Sequence, residues 1–199
     1  MRSVLKIPSI YLLSQFLIGA MLARRRMLQN YSGVRSDLRV LDLGCGPGYV
    51  TAYLPNCAYV GFDLDERYIR YAKKHYGERH AFHCRAFDSD QLDDLGEFDL
   101  VLMNGLLHHL PDDQACELIE LSRSALKTNG LLLTLDGCYQ DGQSSIARYL
   151  LDKDRGAYVR KEAGYRALVE SVFEKIEIFI RSDFSWIPYT WIVMRCVKI

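Results

Sequence analysis

Three glycines at alternate positions, Gly44, Gly46 and Gly48, follow a short apolar run at residues 40–43. Because glycine has no Cβ, the backbone at such a turn can bend sharply and let a ligand approach closely. A second apolar run ends in Asp63, nineteen residues after Gly44. An acidic side chain at that distance along the chain suits a pair of ribose hydroxyls. The turn and the acid together predict a nucleoside site.

The residues after the turn predict a short helix from Tyr49 to Pro55, where the missing N–H and the proline ring stop it. Such a helix aims free backbone N–H groups and a positive dipole end at the ligand. The spacing differs from the G-x-G-x-x-G of dinucleotide-binding proteins, because the third glycine comes one residue early. A dinucleotide-binding or purely structural turn is therefore the alternative.

The stretch Asp42-Leu43-Gly44-Cys45-Gly46-Pro47-Gly48 resembles motif I of the class I S-adenosylmethionine-dependent methyltransferases. Asp63 falls where that family keeps its ribose-binding acid, and the resemblance covers residues 38–199. It implies a small-molecule methyltransferase that uses S-adenosylmethionine and releases S-adenosylhomocysteine. The methyl group would pass by in-line displacement to an oxygen or nitrogen of a natural-product or glycan precursor. The glycan option depends on residues 154–160 and 187–189, which resemble bacterial methyltransferases thought to act in surface-polysaccharide pathways.

The resemblance also implies which residues hold the cofactor. Asp42 would help fix its methionine end, Leu64 would pack on the adenine, and Phe87 and Asp88 would supply an adenine wall and an acceptor for the exocyclic amine. Asp90 is an alternative to Asp88, because the glycine that usually precedes this acid is absent. The complete implied set is Asp42, Gly44, Cys45, Gly46, Gly48, Asp63, Leu64, Phe87, Asp88 and Asn104.

Two histidine groups could carry further chemistry. His108 or His109, after the fourth predicted strand, could be a general base, because histidine accepts a proton near neutral pH. The structural alternative is that one of them packs and the other caps the next helix. His80, His83 and Cys84 form a second cluster of metal-binding residue types, but neighbouring members lie three and one residues apart, which places them on opposite faces of a strand, and no fourth ligand is evident. We therefore expect no metal there.

The sulfonium of S-adenosylmethionine is already an activated methyl donor, so the protein chiefly aligns donor and acceptor and excludes water. For this reason the donor half is legible in the sequence and the acceptor half is not. We expect the acceptor surface to come from the N-terminal helix, residues 137–160 and the turn at 183–189. The aromatic residues of those last two segments could stack on an acceptor or simply cover the core: Tyr139, Tyr158, Trp186 and Tyr189.

Strands alternating with helices predict an α/β fold: a doubly wound, mostly parallel seven-stranded sheet with an antiparallel C-terminal strand and helices on both faces. The last two strands form a hairpin, as the resemblance also implies. The predicted strands are residues 40–43, 58–63, 80–87, 98–103, 131–135, 174–182 and 189–198, and the predicted helices are 9–29, 49–55, 65–77, 112–127 and 161–172.

At 199 residues, with 49% hydrophobic and 25% charged residues, the chain has the composition of one globular domain. We expect residues 1–37 to form a helical lid, 38–136 the cofactor-binding half, and 137–199 the acceptor side with the hairpin. Twenty-five basic residues offset 25 acidic ones, which counts against a nucleic-acid partner. Six scattered cysteines without a C-x-x-C pair favour reduced thiols in the cytoplasm.

The apolar run from Ile7 to Ala23 is interrupted by polar residues and a proline, and basic residues follow it. It is too short for a bilayer span and has the wrong charge order for a signal peptide. A helix that packs on the domain fits better, with peripheral membrane contact as the alternative. The sequence does not indicate an oligomeric state.

Two other functions compete with small-molecule methylation. An RNA or protein methyltransferase is one, but Met103-Asn104-Gly105-Leu106 is not the Asn/Asp-Pro-Pro-Tyr/Phe motif used on base amines, and no basic, aromatic-rich module is appended. A non-catalytic S-adenosylmethionine-binding protein is the other. Intact donor positions favour an enzyme.

Overall fold

The computed structural model describes residues 19–154 and 156–199. Eight strands form its sheet: β1 (Arg39–Leu43), β2 (Ala58–Asp63), β3 (Ala81–Cys84), β4 (Phe98–Asn104), β5 (Leu126–Tyr139), β6 (Arg160–Lys161), β7 (Lys175–Arg181) and β8 (Trp191–Val197). Six α-helices accompany them: α1 (Ala20–Met27), α2 (Glu66–Tyr76), α3 (Ser89–Leu95), α4 (Asp112–Ala125), α5 (Ser145–Asp152) and α6 (Glu162–Val169). Short 3-10 turns cover Tyr49–Tyr53 and Leu107–His109, and a π-helical turn covers Leu28–Ser32.

The strands run in the order β3-β2-β1-β4-β5-β8-β7, and the two-residue β6 pairs with β5 beside this path. Strands β1 to β5 are parallel, whereas β8 is antiparallel to both β5 and β7. The predicted doubly wound sheet and its C-terminal hairpin are confirmed. The chain adds β2 and β3 on one side of β1 and then β4 on the other. Strand order therefore reverses between β1 and β4, where parallel sheets open a crevice for ligands.

The core lies on both faces of the sheet, because successive strand residues point to opposite sides. Leu100 and Leu102 of β4 join the apolar cluster that contains α1 and α2 residues. Val101 and Met103 join the other cluster, with residues of α4 and α6. Central strands that are apolar on both faces are expected when helices cover both sides.

Several predicted boundaries differ from the structure. Strand β3 stops at Cys84 instead of Phe87, and the turn after Gly48 is a five-residue 3-10 helix, so its dipole is small. Helix α4 ends at Ala125, two residues before its predicted end, and β5 begins at once. Leu126 pairs with Phe98 and Leu131 with Leu100, so residues 127–130 bulge from the ladder.

The predicted helix 9–29 is described only from residue 19 onward, and its residues 9–18 lie outside the described residues. Ala20, Ala23, Arg24 and Met27 are buried, so α1 packs on the domain as expected. Helix α5 was not predicted, because polar residues dominate 137–160. Among residues 19–154 and 156–199, no helix has both the length and the apolar character that a membrane crossing needs.

Candidate functional site

The glycine turn lies at the carboxyl end of β1, beside the crevice between β1 and β4. Gly44, Gly46 and Gly48 have φ angles of +71°, +55° and +75°, a conformation that residues with a Cβ rarely adopt. A Cβ on Gly48 would lie 2.8 Å from the Phe82 ring. The alternating glycines are therefore required by the path of the backbone, as the sequence indicated.

Asp63, at the end of β2, contacts this turn directly. Its Oδ2 accepts the Gly46 N–H at 2.8 Å, and its Oδ1 accepts the Asp65 N–H at 2.8 Å. Burial raises the pKa of Asp63, while these two backbone donors oppose the rise. The parallel register, with Leu43 opposite Phe62, brings the acid next to the glycines. The carboxylate is held at a fixed point on the edge of the crevice.

A cavity of about 880 Å³ opens beside Asp63, within the range of cofactor sites. Leu64, 75% exposed, lies at its edge, and Phe87 forms part of its wall, packed edge-on against Phe62 at 5.1 Å between ring centroids. The predicted adenine residues are thus brought together. Other residues that line the cavity are Leu43, Gly44, Asp88, Leu106 and Leu110.

Asp88 has a structural task as well as a place in the cavity wall. Its Oδ1 accepts the Asp90 N–H at 3.0 Å and the Gln91 side-chain amide at 2.7 Å, which caps α3. Asp90 lies in the first turn of α3 and is not among the cavity-lining residues. The sequence left both Asp88 and Asp90 as candidates for the acid that contacts the adenine amine. Of these two, Asp88 lines the cavity.

A second, narrow pocket lies on the other side of the turn, and Gly44 lines both spaces. Asp42, Cys45 and Asn104 line this second pocket. The Tyr59 hydroxyl donates to Asp42 Oδ2 at 2.7 Å, but Asp42 Oδ1 and both amide atoms of Asn104 have no partner among the described residues. Burial raises the pKa of Asp42 to about 7. Unpaired buried polar atoms of this kind require a polar partner such as an ordered water, an ion or a ligand.

Arg24 also lines the narrow pocket, and the sequence analysis missed it. Its guanidinium lies 5.3 Å from the centroid of the Tyr49 ring and 3.5 Å from the Asn104 carbonyl oxygen. Its charge lowers the pKa of Asp42, against the larger effect of burial. A signal was present, because Ala20, Ala23, Arg24 and Met27 follow the spacing of one buried helix face.

His108 and His109 follow β4 in a 3-10 turn, and their environments differ. His108 is buried between two carboxylates, with Nδ1 2.7 Å from Asp136 Oδ1 and Nε2 3.3 Å from Asp154 Oδ1. Burial opposes its charge, but hydrogen bonds to both carboxylates outweigh it and raise the pKa of His108 to about 9. His109 is exposed, with its ring 4.2 Å from that of His108. His108 therefore packs between these carboxylates, and α4 begins after Pro111, whose side chain makes no cap hydrogen bond.

The four aromatic residues predicted for the acceptor surface differ in burial and in hydrogen bonding. Tyr139 donates its hydroxyl to Asp152 at 2.7 Å, and the buried Tyr189 donates to Asp154 Oδ2 at 3.2 Å, whereas Tyr158 and Trp186 are exposed.

His80, which precedes β3, and His83, within β3, make aromatic contacts. The His80 ring meets Tyr59 edge-on at 5.4 Å, and the His83 ring stacks on Phe62 at 4.7 Å. Within residues 19–154 and 156–199, one group of three has its metal-binding atoms within 4.8 Å of one another: His108, His109 and Asp154.

Residues 41–132 match the family model described as a methyltransferase domain. Among curated proteins, a malonyl-[acyl-carrier protein] O-methyltransferase of Bacillus cytotoxicus is 33% identical over 101 residues, which are 48% of this chain and 34% of that protein. A juvenile hormone acid O-methyltransferase of Bombyx mori is 37% identical over 84 residues, 38% of this chain and 30% of that protein. The chain thus spans about a third of the length of these two relatives.

A solved structure of similar fold is a TehB-like SAM-dependent methyltransferase from Corynebacterium glutamicum. It has a TM-score of 0.63 and 20% sequence identity, and the match covers 89% of this chain and 88% of that one. This likeness extends well beyond residues 41–132 and confirms the sheet architecture.

Proposed function

We propose that this protein, whose residues 41–132 match the family model of a methyltransferase domain, transfers the methyl group of S-adenosylmethionine to an oxygen or nitrogen of a small-molecule acceptor. S-adenosylhomocysteine is the second product. The observation that carries the proposal is the pair of spaces around the glycine turn. One has an acid and apolar walls suited to a nucleoside, and the other has unpaired Asp42 and Asn104 atoms suited to an amino acid.

In the proposed complex, the nucleoside end occupies the larger cavity. Asp63 accepts the ribose hydroxyls, Leu64 and Phe87 pack on the adenine, and Asp88 accepts its exocyclic amine. The glycine turn lets the cofactor lie close to the backbone at Gly44.

The amino-acid end occupies the narrow pocket. Ionised Asp42 accepts the ammonium group, Asn104 completes the polar contacts, and Arg24 pairs with the carboxylate. The pocket has a volume of only about 20 Å³, so a lining side chain must shift to admit this end. Arg24 has the longest side chain in the lining and is the one we expect to move.

The bound sulfonium supplies an activated methyl group, so the protein needs to align the acceptor and, for some acceptors, to remove a proton. Both ring nitrogens of His108 face carboxylates, which raise its pKa to about 9, so it is a poor base at neutral pH. Of the two histidines in the predicted catalytic set, we therefore assign the proton-accepting role to the exposed His109.

Oxygen is the acceptor atom that the comparisons favour, because both curated relatives described above are named O-methyltransferases.

We propose the same three-part organisation that the sequence predicts, with residues 137–199 on the acceptor side. All six cysteines are free, which supports a cytoplasmic location.

Calorimetry with S-adenosylhomocysteine tests the donor site, and we expect one molecule to bind per chain. Incubation with labelled S-adenosylmethionine and pools of hydroxyl, carboxyl and amine acceptors then tests transfer. Donor binding without transfer to any pool would favour a non-catalytic binding protein. Salt-sensitive binding of RNA, with label transferred to it, would favour the RNA alternative.

A further inference from the structure

The loop that follows β4, residues 105–111, is covered by a second segment, residues 153–161, of which Arg155 lies outside the described residues. We call the second one the covering segment. The Tyr158 N–H donates to the His108 carbonyl oxygen at 3.0 Å. Gly156 packs so closely on the His108 ring that a Cβ there would lie 2.0 Å from His108 Cδ2. The covering segment and the loop are therefore in direct contact at His108.

Arg160 fixes the far end of the covering segment to the same loop. Its guanidinium donates to the Leu107 carbonyl oxygen at 2.9 Å, the Leu110 carbonyl oxygen at 2.7 Å and Asp112 Oδ1 at 2.6 Å. Backbone pairing of Arg160 with Cys138 joins the segment to the end of β5 as well. These contacts anchor one end, but they do not reach Asp154.

His108 provides the attachment at Asp154. Its ring lies between Asp136, at the end of β5, and Asp154, in the covering segment. Asp154 also accepts the Tyr189 hydroxyl from the turn region between β7 and β8. A neutral imidazole donates one hydrogen bond, whereas an imidazolium donates two, so only the cation can serve both carboxylates. Removing the cation would leave two carboxylates facing each other in a mostly buried space.

The covering segment lies on the acceptor side of the proposed site. Most of the proposed donor positions lie at the ends of β1, β2 and β3, so we expect an acceptor to approach from beyond β4 and β5. His108 follows β4, and Asp136 lies among the last four residues of β5.

We propose that His108 is a positioning residue, whose cationic ring docks the covering segment on the loop after β4 and so completes the acceptor side of the site. The docking is inferred from the contacts described above, whereas its role in completing the acceptor side rests on the proposed function. The docking itself can be measured without any acceptor.

The ring of His108 could instead bind a divalent metal ion together with His109 and Asp154, whose ligand atoms lie close enough. Two contacts favour the ion pairs. The 2.7 Å separation of His108 and Asp136 is typical of a charge-assisted hydrogen bond, and the Tyr189 hydroxyl occupies the second oxygen of Asp154. Metal occupancy is an outcome of the test below.

Gly156→Ala tests the docking without removing a charge, and Ala157→Ser, an exposed neighbour, is the matched control. We expect Gly156→Ala to raise amide hydrogen exchange in residues 153–161 by about tenfold or more, with the rest of the sheet unchanged. Affinity for S-adenosylhomocysteine should stay within about twofold of the parent in both variants. Unchanged exchange in Gly156→Ala would refute the docking. If the parent protein does not bind S-adenosylhomocysteine at all, the proposed function is refuted instead.

The role of the His108 charge needs its own readout. In ¹⁵N spectra of the full chain at neutral pH, both ring nitrogens of His108 should be protonated, and Asp154→Asn should lower the pKa of the ring and release the covering segment. His108→Gln should release it too, and adding Asp154→Asn to that variant should restore part of the protection, since two amides can pair without charge. A neutral ring in the parent protein would overturn the proposal. Stoichiometric zinc in the purified protein, removable by chelator, would also overturn it and make the cluster a metal site.

Discussion

The Tyr59 hydroxyl donates to Asp42 Oδ2 at 2.7 Å and holds that carboxylate so that its other oxygen, Oδ1, is left without a partner among the described residues. The two residues lie on neighbouring strands, β1 and β2. Burying a carboxylate with one unpaired oxygen is costly in the free protein. In the proposed complex the ammonium group of the donor would recover this cost, so we expect Asp42 to connect donor binding with stability.

The first prediction concerns that stability. The pKa of Asp42 is raised from 3.8 to about 7, so the native state binds more protons between these values and the free energy of unfolding falls as pH rises from about 4 to about 7. Asp42→Asn keeps an acceptor for Tyr59 and removes this dependence. We expect it to stabilise the protein by about 2–4 kcal/mol at about pH 8 and by little at about pH 4. Urea unfolding at both pH values measures this, with the exposed Asp113→Asn as control. Equal effects at both values would contradict it.

Donor affinity should depend on the same carboxylate. Below pH 7 the Asp42 side chain gains a proton and loses the charge that attracts an ammonium group. The dissociation constant for S-adenosylhomocysteine should therefore rise as pH falls through about 7, by up to about tenfold per unit. Calorimetry across this range should show the slope in the parent protein and not in Asp42→Asn, which should bind weakly throughout. A slope that persists in the variant would assign the titration to another group.

Asp63→Ala should weaken donor affinity by about 10- to 100-fold with a modest loss of stability, because the ribose loses its acceptor and two backbone N–H groups lose theirs at about 1 kcal/mol each. Asp63→Asn is the informative companion, since its amide oxygen can still accept the Gly46 N–H. Calorimetry and thermal unfolding separate the two effects. Unchanged binding in Asp63→Ala would show that the ribose lies elsewhere.

Arg24 offers a matched comparison on α1. Arg24 is 8% exposed and lines the narrow pocket, whereas its neighbour Arg25 is exposed. Arg24→Met retains a long apolar side chain but no charge, and should weaken S-adenosylhomocysteine binding by about tenfold or more. Arg25→Met should bind as the parent does. Equal affinities for the two variants would exclude Arg24 from the donor site.

The glycine turn and its contact with Asp63 were predictable because their signals are local. A turn that demands glycine and an acid at the end of the next strand are both legible in a single sequence, and the parallel register of β1 and β2 joins them. Helix α2 was predicted for the same reason, since Asp65 caps its start and Ile69 and Ala72 form its buried face.

The rest depends on contacts between distant parts of the chain. Asp154 and His108 are in contact although they lie 46 positions apart in the sequence. No local pattern near either residue predicts this contact. The bulge at residues 127–130 reflects the pairing of β5 with β4, which local propensity does not encode. Helix α5 was missed because polar residues dominate 137–160, although Ala147 and Leu151 form a buried face on it. Residues 137–199, the proposed acceptor side, depend mainly on such contacts, so their structure could not be predicted in detail.

Gly44 lines both the larger cavity and the narrow pocket, which has a consequence for the design of inhibitors. A Cβ there would come within 3.0 Å of Leu106, so even alanine would crowd the passage. A fragment that resembles only the nucleoside should bind in the larger cavity with low affinity. A fragment that resembles only the amino acid should bind in the narrow pocket, also with low affinity. Joining them by a slender linker, one without branches at the point that crosses Gly44, should then yield far tighter binding than either fragment alone, through the raised effective concentration of the second end.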